Sequence, residues 1–318
     1  MQKAIPVLEC VDAPSAQAVT TLGEAFRDIG FVFVRTPDIT RMLFGIWPAF
    51  RATFDLPQAI KQKYARPDIF YQRGWTPPFT ELAIACRRLG KDEAGLPDAK
   101  ENWFMGPNLD PLSDIVRRFP EHYPQNIWPS EVPSLKPAME RLYGALLGVG
   151  SGVLALVERY MGKPEGYFAG IIRDSPTVMR AINYPPVGAE DVGRIIWACQ
   201  HTDINLITVL PASTRKGLWI RRRDGEWISG TAPEGCTIVQ VADMLDYLTG
   251  GHFMSAAHEV RTPEYPTQEG RLSAALFIHA RSDVLLEPDV SGADAAQYPP
   301  ITAGELLLKR LRAIGLAV

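Results

Sequence analysis

Five histidines occur in the 318 residues (His122, His201, His252, His258, His279), and one of them shares a short word with a carboxylate, His201-Thr202-Asp203. In an extended strand the side chains at i and i+2 leave the same face, so His201 and Asp203 point at one spot while Thr202 turns away. Two donors alone hold a transition metal poorly. His258, fifty-five positions after Asp203, falls in a second extended stretch, and a rolled sheet brings distant strands face to face. Two imidazoles and one carboxylate on one side of an octahedral ion leave three positions open, the arrangement associated with Fe(II) oxygenases.

Iron of this kind needs an electron-rich cosubstrate and a group to hold it. Arg271-Leu272-Ser273, thirteen residues beyond His258, is another i, i+2 pair on one strand face. A guanidinium fork beside a hydroxyl can grip a carboxylate through charge-assisted hydrogen bonds. That grip suits the distal carboxylate of 2-oxoglutarate, whose keto-acid end would chelate Fe(II), with O2 as the second cosubstrate.

These words in this order resemble the isopenicillin N synthase-like family of Fe(II)/2-oxoglutarate oxygenases. The matching words are His201-Thr202-Asp203, Gly217-Leu218-Trp219-Ile220, Ala242-Asp243-Met244-Leu245, Thr249-Gly250-Gly251, Ser255 through His258, and Arg271-Leu272-Ser273. Tyr184-Pro185-Pro186, Arg73-Gly74-Trp75-Thr76-Pro77 and Lys100-Glu101 extend the likeness over most of the chain. The resemblance implies metal ligands at His201, Asp203 and His258, cosubstrate contacts at Arg271 and Ser273, and a further contact at Tyr184. Two positions depart from the family: Ile182 stands where many plant members place Asn, and Glu259 follows the distal His where Arg is common.

Which elements position these residues follows from periodicity. Val19, Leu22, Phe26 and Ile29 recur at helical spacing, with Ser15 as N-cap and Gly30 as a stop. A short strand over 31–34 follows, then a helix over 39–54 with a kink expected at Pro48. From Ala65 to Pro133 the periods vanish while prolines and aromatics gather, including Tyr71, Trp75 and Trp103, which predicts an irregular covering. One long helix is expected over 133–161. After it come eight short segments rich in β-branched and aromatic residues, over 178–184, 195–201, 205–210, 218–221, 226–229, 236–241, 255–260 and 272–280. A helix over 303–314 ends the reading. Short strands separated by turns argue for a sandwich or jelly roll. With the resemblance this becomes a mainly β fold with helical additions: a double-stranded β-helix core, an N-terminal helical region and a long supporting helix. The expected division is 1–133 for the N-terminal region and 134–318 for the jelly-roll oxygenase domain.

Composition narrows the partners. Apolar residues make up 46%, charged residues 22%, and the net charge is -3, the profile of a soluble globular enzyme; the resemblance implies a small-molecule substrate. No basic excess serves a phosphate backbone, since Arg221-Arg222-Arg223 is followed at once by Asp224; this predicts no nucleic acid. The longest uncharged run, between Arg141 and Glu158, falls short of the ~20 residues a bilayer needs, so no membrane partner is expected either. Its glycines predict close helix packing. Cys10, Cys86, Cys199 and Cys236 are scattered, which fits a reducing cytoplasm and no zinc or redox motif. A monomer or weak homo-oligomer is expected.

Other residues take structural readings: His252 and His279 as structural histidines, Asp243 as a turn former, and Arg73 as half of a salt bridge, with contact to an acidic substrate as the alternative. Two rival functions stand beside the dioxygenase. One is an Fe(II) oxidase of the same fold that uses no 2-oxoglutarate and grips a substrate carboxylate with Arg271 and Ser273. The other is a jelly-roll binding or sensing protein.

Overall fold

The computed structural model describes residues 5–9, 11, 15–81, 98–288 and 297–316. Cys10 and Cys86 lie outside them. In chain order the strands are β1 (Val7–Leu8), β2 (Phe31–Arg35), β3 (Gly74–Thr76), β4 (Glu101–Met105), β5 (Val178–Tyr184), β6 (Ala198–His201), β7 (Ile207–Leu210), β8 (Leu218–Arg221), β9 (Trp227–Ser229), β10 (Cys236–Val241), β11 (His258–Val260), β12 (Arg271–Ile278), β13 (Leu285–Leu286) and β14 (Ile301–Thr302). The large sheet has the order β1-β2-β10-β7-β12-β5-β4-β3, and a four-stranded sheet has the order β6-β11-β8-β9. Together they form a jelly-roll core. Neighbours pair antiparallel in both sheets except β1 with β2.

Alternation along the strands gives the large sheet two unlike faces. Met179, Ala181, Val209, Val239, Leu272, Ala274, Leu276 and Ile278 fall in one apolar cluster with the residues of the surrounding helices. Ile182, Tyr184, Ile238 and Ala275, from the opposite face, join Ile220, Trp197 and Val260 in a second cluster inside the roll. The long helix Leu135–Tyr160 lies on the first face, with Leu135, Met139, Leu142 and Leu146 fully buried. Its glycines permit that approach: a Cβ on Gly150 would come within 2.1 Å of Ile278 Cδ1.

The first helix, Ala16–Asp28, is capped by the Ser15 side chain and ends before Gly30, whose φ of +80° suits glycine. The second spans Pro37–Phe54 and continues through Pro48, where a kink was expected. The C-terminal helix Ala303–Ala313 opens with a capping box between Thr302 and Glu305.

Between 65 and 133 the sequence predicts irregular chain, and here the structure differs. It holds β3 and β4, which extend the large sheet beyond β5. The reason lies in length and content. Strands of three and five residues show little period, and their second face carries Gly74, Thr76, Asn102 and Phe104, only one of them apolar. Trp75 and Trp103, paired in register, are core residues at 1% and 0% exposure.

Candidate metal centre

β6 and β11 are neighbours, and their register sets His201 directly opposite His258. Asp203 follows two residues after β6 ends. His201 Nε2 lies 3.8 Å from Asp203 Oδ1, and His258 Nε2 lies 3.9 Å from the same oxygen. One donor atom from each of the three residues falls within 4.8 Å of the others. Donors that each sit ~2 Å from a shared ion lie no more than about 4 Å apart, and both imidazole–carboxylate separations meet that limit.

Protonation is arranged to suit a cation. His201 Nδ1 is 2.7 Å from the Cys199 carbonyl, and His258 Nδ1 is 3.0 Å from the Ala256 carbonyl. A carbonyl only accepts, so each Nδ1 carries a proton and Nε2 is the ring atom left to ligate. Burial, with His258 beside it, pushes His201 down to about 4 against the opposing pull of Asp203. Burial alone would raise Asp203, but the two imidazoles outweigh it and hold the carboxyl below its ordinary value. A neutral His201 beside an ionised carboxylate is the state that metal ligands need.

The carboxylate is also aimed. Thr208 Oγ1 donates to Asp203 Oδ2 at 2.6 Å, and the Gln240 amide donates to the same oxygen. Asn205 Nδ2 donates to Thr208 Oγ1 at 3.1 Å. Oδ2 is thereby occupied, and Oδ1 faces the imidazoles. The loop that carries Asp203 is braced from outside. The Asp243 N–H donates to the Asp203 carbonyl at 2.9 Å. Arg310, from the C-terminal helix, donates through Nε and Nη2 to Asp243 Oδ2 and reaches Thr202 Oγ1 at 3.4 Å.

A cavity of about 320 Å³ opens beside the cluster, lined in part by His201, Asp203, Arg180, Lys100, Leu307 and Ile314. Its charged wall is interlocked. Lys100 Nζ donates to Asp98 Oδ2 and lies 3.0 Å from Glu81 Oε2, while Arg180 Nη1 donates to both oxygens of Glu81 at 3.2 Å. Burial would raise Glu81, yet Arg180 and Lys100 outweigh it and hold the carboxyl at about 2.

Arg271 and Ser273 do not line that cavity. They border a second recess of about 250 Å³ with Leu210, Thr214 and Ile238. β12 registers Arg271 against Tyr184 and Ser273 against Ile182, and its Phe277 borders the metal cavity, so both hollows open along one strand face. The Arg271 guanidinium is buried, lies 4.9 Å over the Tyr184 ring and donates through Nε to the Arg215 carbonyl at 3.0 Å. Nη1 is buried with no acceptor. A carboxylate in the recess would supply one, so the residues present fit 2-oxoglutarate. Tyr184 packs beneath the guanidinium and against Trp197, at 5.5 Å between ring centroids.

Several secondary readings change. Asp243 does more than shape a turn, since it links Arg310 to the ligand loop. His279 is buried, its Nδ1 2.9 Å from the Phe277 carbonyl, and it also borders the metal cavity. Arg73 has no ion-pair partner among the described residues; it is fully buried, donates Nη1 to the Gln72 carbonyl, and leaves Nε and Nη2 without acceptors. The sequence reading missed Thr208, Gln240, Arg180, Glu81 and Arg310. Gln240 carried a signal, being the one amide in the otherwise apolar stretch Ile238–Val241 and hence a candidate for the roll interior.

Known proteins resemble this chain along its length. Residues 5–131 match the model of the non-haem dioxygenase N-terminal region, described for morphine synthesis, and residues 174–280 match that of the 2OG-Fe(II) oxygenase superfamily. A 2OG-Fe(II) oxygenase family protein from Caulobacter crescentus is 31% identical, with a TM-score of 0.81 over 98% of this chain and 100% of its own. A full-length Neurospora crassa protein, solved in complex with alpha-KG, shares the fold at a TM-score of 0.78 and 23% identity over 97% and 96% of the two chains. A 2-oxoglutarate-dependent dioxygenase of Monascus ruber is 29% identical over 277 residues, 83% of this chain and 79% of that one.

Proposed function

Since this chain belongs to the 2OG-Fe(II) oxygenase superfamily, we propose that His201, Asp203 and His258 hold its iron and that Arg271 and Ser273 receive the distal carboxylate of 2-oxoglutarate. The protein is an Fe(II)- and 2-oxoglutarate-dependent dioxygenase that acts on a small molecule. The oxidase that dispenses with 2-oxoglutarate is not favoured. The observation that carries the assignment is the convergence of two imidazole Nε2 atoms and one carboxylate oxygen beside a cavity.

Iron and 2-oxoglutarate, when bound, supply oxidation of the substrate by O2 with release of succinate and CO2. This chain's own residues do the positioning. The Cys199 and Ala256 carbonyls fix the imidazole tautomers, and Thr208 with Gln240 fixes the carboxylate. Arg271 offers its unsatisfied Nη1 and Tyr184 holds the guanidinium flat. Apolar side chains lining the recess, Leu210 and Ile238, exclude water and so strengthen the charged contact there.

Hydroxylation, desaturation and ring closure all remain outcomes of this reading. Membership of the isopenicillin N synthase-like branch belongs to the same proposal, supported by the ordered words from His201 to Ser273. So does the division near residue 133, supported by the start of the long helix at Leu135. A cytoplasmic setting rests on the scattered placement of the four cysteines, with Cys199 and Cys236 buried.

Metal analysis tests the triad. Wild-type protein should retain one equivalent of iron, and His201→Ala and Asp203→Ala should lose it; unchanged iron in both variants would remove the triad from the reaction. Oxygen uptake with a true substrate but no succinate would end the 2-oxoglutarate assignment.

A further inference from the structure

The cavity beside the metal cluster has two unlike walls. One presents Arg180, Lys100, Glu81 and Asp98; the other, from the C-terminal helix and the residue that caps it, presents Leu307, Leu311 and Ile314. Most of the charged wall is closed on itself. Lys100 is held by Asp98 and Glu81, and Asp98 Oδ1 accepts from the Cys199 N–H at 2.9 Å.

Arg180 is the exception. Glu81 takes only its Nη1, and Nε is buried without an acceptor. The guanidinium carbon lies 4.5 Å from the Phe104 ring centroid and 4.7 Å from that of Phe277. Two aromatic faces fix the plane of the group, which cannot swing its Nε and Nη2 edge to another protein partner. A planar edge of two N–H donors matches the two oxygens of a carboxylate. At about 320 Å³ the cavity sits at the small end of ligand sites, so the molecule that fills it is small.

We infer that the substrate is a small organic acid whose carboxylate is taken by Arg180 and whose hydrocarbon part lies on Leu307, Leu311 and Ile314. The inference rests on the dioxygenase reading and narrows its substrate class. It gives the protein two carboxylate sites with separate duties, Arg271 for the cosubstrate and Arg180 for the substrate.

Anaerobic calorimetry tests it on iron-loaded protein saturated with 2-oxoglutarate, titrated with hexanoate and octanoate and with hexanamide and octanamide. The acids should bind at least about tenfold more tightly than the amides, the weight of one charge-assisted contact. Arg180→Lys, which keeps the charge and loses the fork, should shrink that preference, and Ile314→Ala should shift the balance from hexanoate toward octanoate. Equal binding of acid and amide by the wild type, or binding of neither, overturns the inference and needs no variant to fold. Weakened 2-oxoglutarate binding in Arg180→Lys with the acid preference intact also overturns it, because Arg180 would then serve the cosubstrate. Failure of the dioxygenase reading is distinct: the wild type would retain no iron or bind no 2-oxoglutarate before any acid is added.

Discussion

The two faces of the large sheet are made by the same strands yet follow different rules. On the helix side, Val209, Val239 and Leu276 join one apolar cluster with the surrounding helices. On the inner side, their immediate neighbours Thr208, Gln240 and Phe277 touch the metal loop or its cavity. One face supplies stability, and the other spends some of it on polar groups that need exact partners. Gln240 Oε1 and Arg180 Nε are buried without one, a cost that a face built only for packing would not carry. Separating the two duties by a single residue step lets the interior be tuned for chemistry while the outer face holds the fold.

Substitutions on either side of that step test the separation. Asp203→Ala should have the largest effect, lowering iron affinity by more than about 100-fold, the upper range for loss of a supporting contact alone, and abolishing succinate formation in a coupled assay. Leu276→Ala, on the opposite face, should cost ~2–5 kcal/mol in denaturant unfolding while the folded protein keeps full iron stoichiometry. If that variant loses iron before it loses stability, the faces are not separable. Gln240→Leu should weaken iron about 10–100-fold in a chelator competition, yet leave the melting temperature of the metal-free protein unchanged or higher, because an unsatisfied buried oxygen has gone.

The smallest effect is in pH. His201 and His279 are each held down at about 4, first by burial. Their folded values lie below the ordinary ~6.5, so the unfolded chain takes up protons first as pH falls. Stability of the metal-free protein should be full above about 6.5 and decline toward 4. His279→Gln should make that decline shallower in urea titrations at stepped pH. An unaltered slope would mean that His279 is not held neutral in the fold.

What the sequence revealed follows the same division. β8 and β10 were readable to the residue, since their apolar runs have sharp turn boundaries at Gly217 and at Gly235. The convergence of His201, Asp203 and His258 was readable because histidines are few and His201 shares a three-residue word with a carboxylate. β3 and β4 were hidden, as their inner faces are made of residues that alternation does not flag. The helpers were hidden for another reason. Arg180 lies 99 residues from its partner Glu81, and Arg310 lies 67 from its partner Asp243; no local pattern encodes a pairing across that distance.

The link from Arg310 through Asp243 to the ligand loop has a consequence for a shortened chain. All three proposed donors lie by residue 258, but the brace on the Asp203 loop comes only with residue 310. A variant that stops before the final helix should therefore carry every proposed ligand without the clamp and bind iron less tightly in a chelator competition.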